Sequence, residues 1–235
     1  KNKMHVLLTR QLEDCSDLII RFKELGHMVS HLPLLNIEKV PYDHKPIKTC
    51  RSIIFTSANA IKYLDTNEIN KNIKCFCVGL ATEKKAKSVG FQNIISAEGN
   101  VRNLKELILQ NFDSSNGSIV YVSGEIISSD LDNELINEGY SVKRLINYKT
   151  NHNKIFDDKF IETLKSNIPH IIYIYSYNSA LSFLNFIKNE SLESVWMDTN
   201  LMCMSEKTSS ILNEIKWKKI FLFNPGEEEF LLYKI

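Results

Sequence analysis

At 235 residues, 43% of them hydrophobic, the chain can bury one large core or two of about 110 residues each. A formal charge of +1 with 24% charged residues leaves no field strong enough to grip nucleic acid or an anionic membrane, which excludes basic-patch binders. No apolar run approaches the roughly 20 residues of a membrane span, and Lys1-Asn2-Lys3-Met4 leads straight into a strand, so a soluble, cytoplasmic chain is expected.

In chain order, Val6-Leu7-Leu8-Thr9-Arg10 predicts a strand, residues 12 to 25 a helix, and Gly26 the turn that ends it. Leu32 to Pro41 is extended in character. Ile53-Ile54-Phe55 stops at Ser57-Ala58-Asn59, a helix N-terminus leading into 58 to 65. Cys75 to Val78 then reaches Gly79 and a helix over 81 to 89; Ile94-Ile95 and Gly99 precede one over 101 to 111. Val120-Tyr121-Val122-Ser123-Gly124 leads to a helix over 128 to 138 closed by Gly139, and Leu145 to His152 is a second extended stretch. Helices over 157 to 166, 177 to 188 and 206 to 215 alternate with strands at Ile172 to Tyr175 and Leu201 to Met204. Ile220-Phe221 and Gly226 precede a final helix, whose Glu227-Glu228-Glu229 run reads as a solvated face suited to a helix start.

The chain nearly repeats itself. Val6 to Arg10 matches Val120 to Gly124; Ile53 to Ala60 matches Ile172 to Ala180, each ending in Ser-x-Asn; Cys75 to Thr82 matches Leu201 to Thr208; Ile94 to Gly99 matches Ile220 to Gly226. Such self-similarity predicts two doubly wound, parallel-sheet α/β lobes with a ligand between them. The two extended stretches break the alternation and read as strands leaving a lobe, so the first unit either packs with its own half or crosses to the other. Sequence pairing alone leaves both open. The five cysteines sit mostly in apolar segments and are expected as buried free thiols, with Cys75 and Cys77 on one face of a strand. No second Cys or His pair stands at ligand spacing, and no metal is expected.

In doubly wound sheets ligands bind beyond the carboxyl ends of the strands. Thr9-Arg10, Ser57-Ala58-Asn59, Gly79 to Thr82, Ser123-Gly124, Ser176-Tyr177-Asn178 and Ser205 to Thr208 are therefore expected to line the lips of one cleft. They offer amides, hydroxyls and carboxamides with few ionisable groups, which suits a polyanion held by many neutral donors. Helix capping alone would use the same residues. The dinucleotide fingerprint, the phosphate loop and the hydrolase elbow are all missing.

Taken together, Val6-Leu7-Leu8-Thr9-Arg10, Ile54 to Ala60, Cys77 to Thr82, Ser123-Gly124-Glu125, Tyr148-Lys149-Thr150, Ser176 to Ala180 and Met204 to Thr208 resemble the uroporphyrinogen-III synthase family over essentially the whole chain. The resemblance implies two flavodoxin-like lobes joined by a two-stranded linker, with the N-terminal unit crossing to the C-terminal half. Residues 1–36 and 151–235 would form one lobe, 41–145 the other, and 37–40 with 146–150 the linker strands. It also implies cofactor-free dehydration of hydroxymethylbilane, a linear tetrapyrrole octacarboxylate, with ring closure and inversion of ring D through an azafulvene and a spiro intermediate. Tyr148 matches a linker tyrosine of the family and becomes the candidate acid for the leaving oxygen, since phenols carry their proton near neutral pH. Arg10, Ser57, Ala58, Asn59, Gly79, Thr82, Ser123, Gly124, Ser176, Asn178, Ser205, Lys207 and Thr208 become candidate substrate-binding residues. Ser123 stands where many bacterial members carry Arg, which puts the carboxylate contact at that point in doubt. A monomer that receives substrate from the preceding bilane-forming enzyme is expected. A non-catalytic two-lobed receptor for a small anion and a flavodoxin-like electron carrier are the alternatives.

Overall fold

The computed structural model describes residues 2–98 and 100–235; Gly99, one of the repeat positions, lies outside them. The first elements are β1 (His5–Leu8), α1 (Leu12–Glu24), β2 (Met28–His31), β3 (Leu35–Lys39), α2 (Lys45–Thr49), β4 (Ser52–Phe55), α3 (Ala58–Lys62), β5 (Lys74–Val78), α4 (Leu80–Ser88), β6 (Asn93–Ala97) and α5 (Val101–Asn111). There follow β7 (Ile119–Gly124), α6 (Leu131–Asn137), β8 (Val142–His152), α7 (Asp158–Ser166), β9 (Ile171–Ile174), α8 (Tyr177–Asn189), β10 (Asn200–Cys203), α9 (Glu206–Ile211), β11 (Lys219–Leu222) and α10 (Glu228–Leu231).

Contacts divide the chain into two units: the residues up to Asn36 together with Asn151–Ile235, and Ile37–Thr150. In the first, the sheet order is β11-β10-β9-β1-β2. The pairing of β1 with β9 is parallel, Val6 opposite Ile171 and Leu8 opposite Tyr173, so the N-terminal strand crosses to the C-terminal half. Its side chains alternate between two cores, as the two-residue strand period requires. Val6, Leu8, Ile171 and Tyr173 pack on one face; Leu7, Ile172, Ile174, Phe183 and Trp196 pack on the other.

In the second unit the order is β3-β8-β7-β4-β5-β6. From β8 to β6 it reproduces the order β2-β1-β9-β10-β11, with the four matched strands at the same places, β7 in that of β1, and β8 where β2 stands. The halves of the repeat have therefore exchanged their first strand-helix-strand pieces. Ile53, Phe55, Cys75, Cys77, Val120 and Val122 fill one face of this sheet, and Ile54, Phe76, Ile119 and Tyr121 fill the other. Burial of each such aliphatic side chain contributes roughly 1.5–3 kcal/mol. The chain passes between units along β3 and β8, which are neighbours in the sheet.

Several predicted helices are shorter in the structure. The helix expected over 58 to 65 ends at Lys62, and Asp65 caps a separate 3-10 turn at Thr66–Glu68. The one expected over 206 to 215 ends at Ile211, where Trp217 Nε1 donates to the Leu212 carbonyl at 2.9 Å and draws the chain out of helical geometry. Helix α2 was not foreseen; it opens with a proline in its first turn, where the missing N–H is harmless. All five cysteines are buried and unbridged, with the Cys75 and Cys77 sulfurs 3.8 Å apart. No helix among the described residues is long and apolar enough to cross a membrane.

Candidate functional site

In the unit containing β4 to β8, the expected residues stand at the carboxyl ends of adjacent parallel strands. Ser57 caps α3, its extended backbone letting Oγ accept from the Asn59 N–H at 3.2 Å; Ala58 is the first residue of that helix. Gly79 precedes α4 at φ +83, a conformation that favours glycine, and brings the chain directly into the first turn. Thr82 in that turn is buried.

The end of β7 pairs with the middle of β8. Along the pair the register runs Ser123 opposite Ile146 and then Gly124 opposite Tyr148, skipping Asn147. This β-bulge re-aims the following side chain, as bulges near functional sites commonly do. The Tyr148 ring lies flat on Gly124: a Cβ there would stand 2.8 Å from the ring's Cε2 and Cζ and 3.1 Å from the hydroxyl oxygen. Its carbonyl accepts from the Glu125 N–H at 2.9 Å, and the Tyr63 ring lies with its centroid 6.2 Å away. Asn147 is fully buried, its Nδ2 donating to the Ala60 carbonyl at 2.8 Å.

Ser123, also buried, donates to the Gly124 carbonyl at 3.0 Å and accepts from Arg144 Nε at 2.8 Å. Arg144 further donates to the carbonyls of Gly124 and Glu125, both at 2.7 Å. A guanidinium thus reaches the Ser123 position from the neighbouring strand. Arg144, Asn147 and Tyr63 did not emerge from the sequence, because none belongs to a strand-end motif.

In the other unit, Ser176 caps α8, accepting from the Ser179 N–H at 3.1 Å, with Asn178 in the same turn. Ser205 caps α9, accepting from the Thr208 N–H at 3.2 Å, and its hydroxyl lies 3.0 Å from that of the buried Thr208. Arg10 follows β1 with its guanidinium 4.6 Å from the centre of the Tyr175 ring, while Lys207 Nζ lies 5.1 Å from that of Tyr177. The expectation of a solvated Glu227-Glu228-Glu229 run is corrected at its middle position. Glu228 is only 7% exposed, because Tyr175 Oη donates to its Oε1 at 2.9 Å and the Gly226 N–H to its Oε2 at 2.8 Å. Burial and the adjacent Glu228 carboxylate raise the Tyr175 phenol above the ordinary tyrosine range, keeping it a donor.

Away from the strand ends, one group among the described residues, His44, Asp65 and Glu68, brings metal-ligand atoms within 4.8 Å of one another. His44 and Glu68 already pair at 2.6 Å, and Lys48 stands 3.7 Å from Glu68.

A family model described as uroporphyrinogen-III synthase HemD matches residues 16–222. Among solved structures, the uroporphyrinogen-III synthetase of Helicobacter pylori 26695 is 16% identical, covering 99% of this chain and all of that one, with a TM-score of 0.63. A mutant uroporphyrinogen III synthase from Thermus thermophilus is 14% identical, covering 98% and 97%, with a TM-score of 0.62. No curated protein matches the sequence.

Proposed function

The chain belongs to the uroporphyrinogen-III synthase family, and from that premise we propose that it is a hydro-lyase that closes hydroxymethylbilane to uroporphyrinogen III. The observation that carries the proposal is the seat of Tyr148: a phenol aimed by a bulge and packed on the glycine that ends β7 in a doubly wound sheet.

In this reading the lone pair of the ring A pyrrole nitrogen expels the terminal hydroxyl. The C–O bond breaks as Tyr148 Oη delivers a proton, so that water leaves and an azafulvene remains. The exocyclic methylene then attacks the substituted α-carbon of ring D and forms a spiro intermediate. That intermediate fragments at the bond to the ring C methylene, recloses at the other α-carbon with ring D inverted, and loses a proton that restores the phenol. Water is the only product besides the ring, and no electrons are exchanged with a partner.

The chain has then to hold the bilane folded and shield the cation from bulk water. Ser57, Ala58, Asn59, Gly79, Thr82, Ser123 and Gly124 in one unit, with Ser176, Asn178, Ser205 and Thr208 in the other, supply neutral donors for carboxylates, and Arg10 and Lys207 add charge. Neutral donors avoid leaving buried, unpaired cations in the empty site. The test is turnover of freshly generated hydroxymethylbilane with the product isomers separated. Isomer III in excess is expected; formation of the type I ring alone, as in spontaneous closure, would refute the proposal.

A further inference from the structure

Tyr175 and Tyr177 flank the Ser176 cap, and each carries a cation on its ring: Arg10 from the end of β1 and Lys207 from α9. The first of these pairs is built from beneath. The Tyr175 hydroxyl donates to Glu228 Oε1, and the other carboxylate oxygen is held by the Gly226 N–H. Tyr173, one strand pitch earlier on the same face, donates its own hydroxyl to the Glu228 carbonyl at 2.5 Å, so the glutamate is fixed by backbone and side chain together. Phe223 packs edge-on to both tyrosines, with centroids 5.4 and 5.2 Å away. Thr9, next to Arg10, donates to the Tyr173 carbonyl at 2.7 Å and fixes the backbone from which the arginine departs.

Every polar side chain in this stack therefore has a hydrogen-bond partner except the guanidinium at its top, which rests on the Tyr175 ring and has no ion-pair partner among the described residues. Arg10 is half-buried rather than free in solvent. An arginine lying on an aromatic face keeps its planar fork of donors directed away from the ring, the arrangement that recognises a carboxylate through two parallel hydrogen bonds. Holding it there in advance removes the rotamer cost of ordering a long side chain when the ligand arrives.

We propose that Tyr175 and Glu228 are positioning residues for Arg10, presenting its guanidinium to one carboxylate of the substrate. This role rests on the functional reading above. Glu228 pins the phenol, and the phenol face sets the guanidinium.

The test is a double-mutant cycle on KM for hydroxymethylbilane. Tyr175→Leu removes the platform and should raise KM about three- to thirtyfold, the range spanned by exposed and desolvated cation–π pairs, with kcat changed far less. Glu228→Gln, which leaves a carboxamide facing the Gly226 N–H, should raise KM by a smaller factor. In an Arg10→Ala background neither substitution should raise KM further, because the group they position is gone. Equal KM effects in both backgrounds, or an unchanged KM in the single variants, would overturn the role while the wild-type chain still forms isomer III. If the wild-type chain forms only the type I ring, the functional reading fails and takes this role with it. Should Tyr175→Leu not fold, Tyr175→Phe reads the same coupling through the lost hydroxyl alone.

Discussion

Substituting Gly124 by alanine tests the seat of Tyr148 most directly. The new Cβ would stand 2.8 Å from two ring carbons of Tyr148, about 0.7 Å short of the nearest comfortable carbon–carbon approach. The ring cannot simply swing away, since it packs against the buried cluster around Ile53 and Phe55 and lies beside Tyr63. Overpacking of this size costs about 1–3 kcal/mol, or a fall in Tm of roughly 2–12 °C for a chain of this length. The catalytic effect should exceed the stability effect. Displacing a reacting group by about 1 Å can cost about 100-fold, so kcat for isomer III should fall roughly 10- to 100-fold with little change in KM. Gly139→Ala is the control: at φ +91 it strains the backbone where nothing lies within 4 Å, so it should lower Tm and leave kcat alone. A folded Gly124→Ala variant with wild-type kcat would refute the reasoning, because the phenol would then not need its observed position.

Tyr148→Phe should lower kcat by about 100-fold or more while leaving the circular dichroism and Tm close to wild type; undiminished turnover rules out the phenol as the acid. Ser57→Ala removes the α3 cap and should cost about 1 kcal/mol in urea unfolding with a severalfold rise in KM, and a KM that stays at the wild-type value removes Ser57 from carboxylate binding. Burial holds the His5 pKa below the ordinary 6.5, so between the lowered value and 6.5 the unfolded chain binds more protons than the folded one. Stability is therefore whole above pH 6.5 and declines as the pH falls through that window; His5→Gln should flatten the fall in Tm between pH 7 and 5, and an equally steep fall in the variant assigns it elsewhere.

Much of the fold is legible in the sequence because its signals are local. A serine after an apolar run, as at Ser57, Ser176 and Ser205, caps a helix through its own side chain whatever the rest of the chain does. The strand period likewise separates the two faces of β1 and β9 without knowledge of their neighbours. Strand partners are different. Val6 to Leu8 and Val120 to Val122 are both short apolar runs, and either could lie beside Ile53 to Phe55 or Ile172 to Ile174 as far as local pattern goes. The pairing of β1 with β9 and of β7 with β4 is a long-range choice that no local pattern encodes. Glu228 departs from the solvated reading for a related reason: a carboxylate run at a helix start suits solvent and the dipole equally, and only the reach of Tyr175 from the end of β9 and the Gly226 turn bury it.

The position of Tyr148 itself depends on one residue that no motif contains. In a regular strand Asn147 would stand opposite Gly124 and Tyr148 would point to the other face of the sheet. The bulge absorbs Asn147 and returns the phenol to Gly124. Burying an asparagine in a sheet is costly unless its polar atoms are used. Here the short helix α3 supplies a use for one of them: its last turn leaves carbonyls without intrahelical donors, and Asn147 Nδ2 satisfies that of Ala60, while Oδ1 is buried without a hydrogen-bond partner among the described residues. The helix whose first turn is capped by Ser57 is thus held at its other end by the residue that aims the phenol. A helix of five residues has little stability of its own, so the capped start of α3 and the Tyr148 phenol on β8 are ordered by the same buried amide.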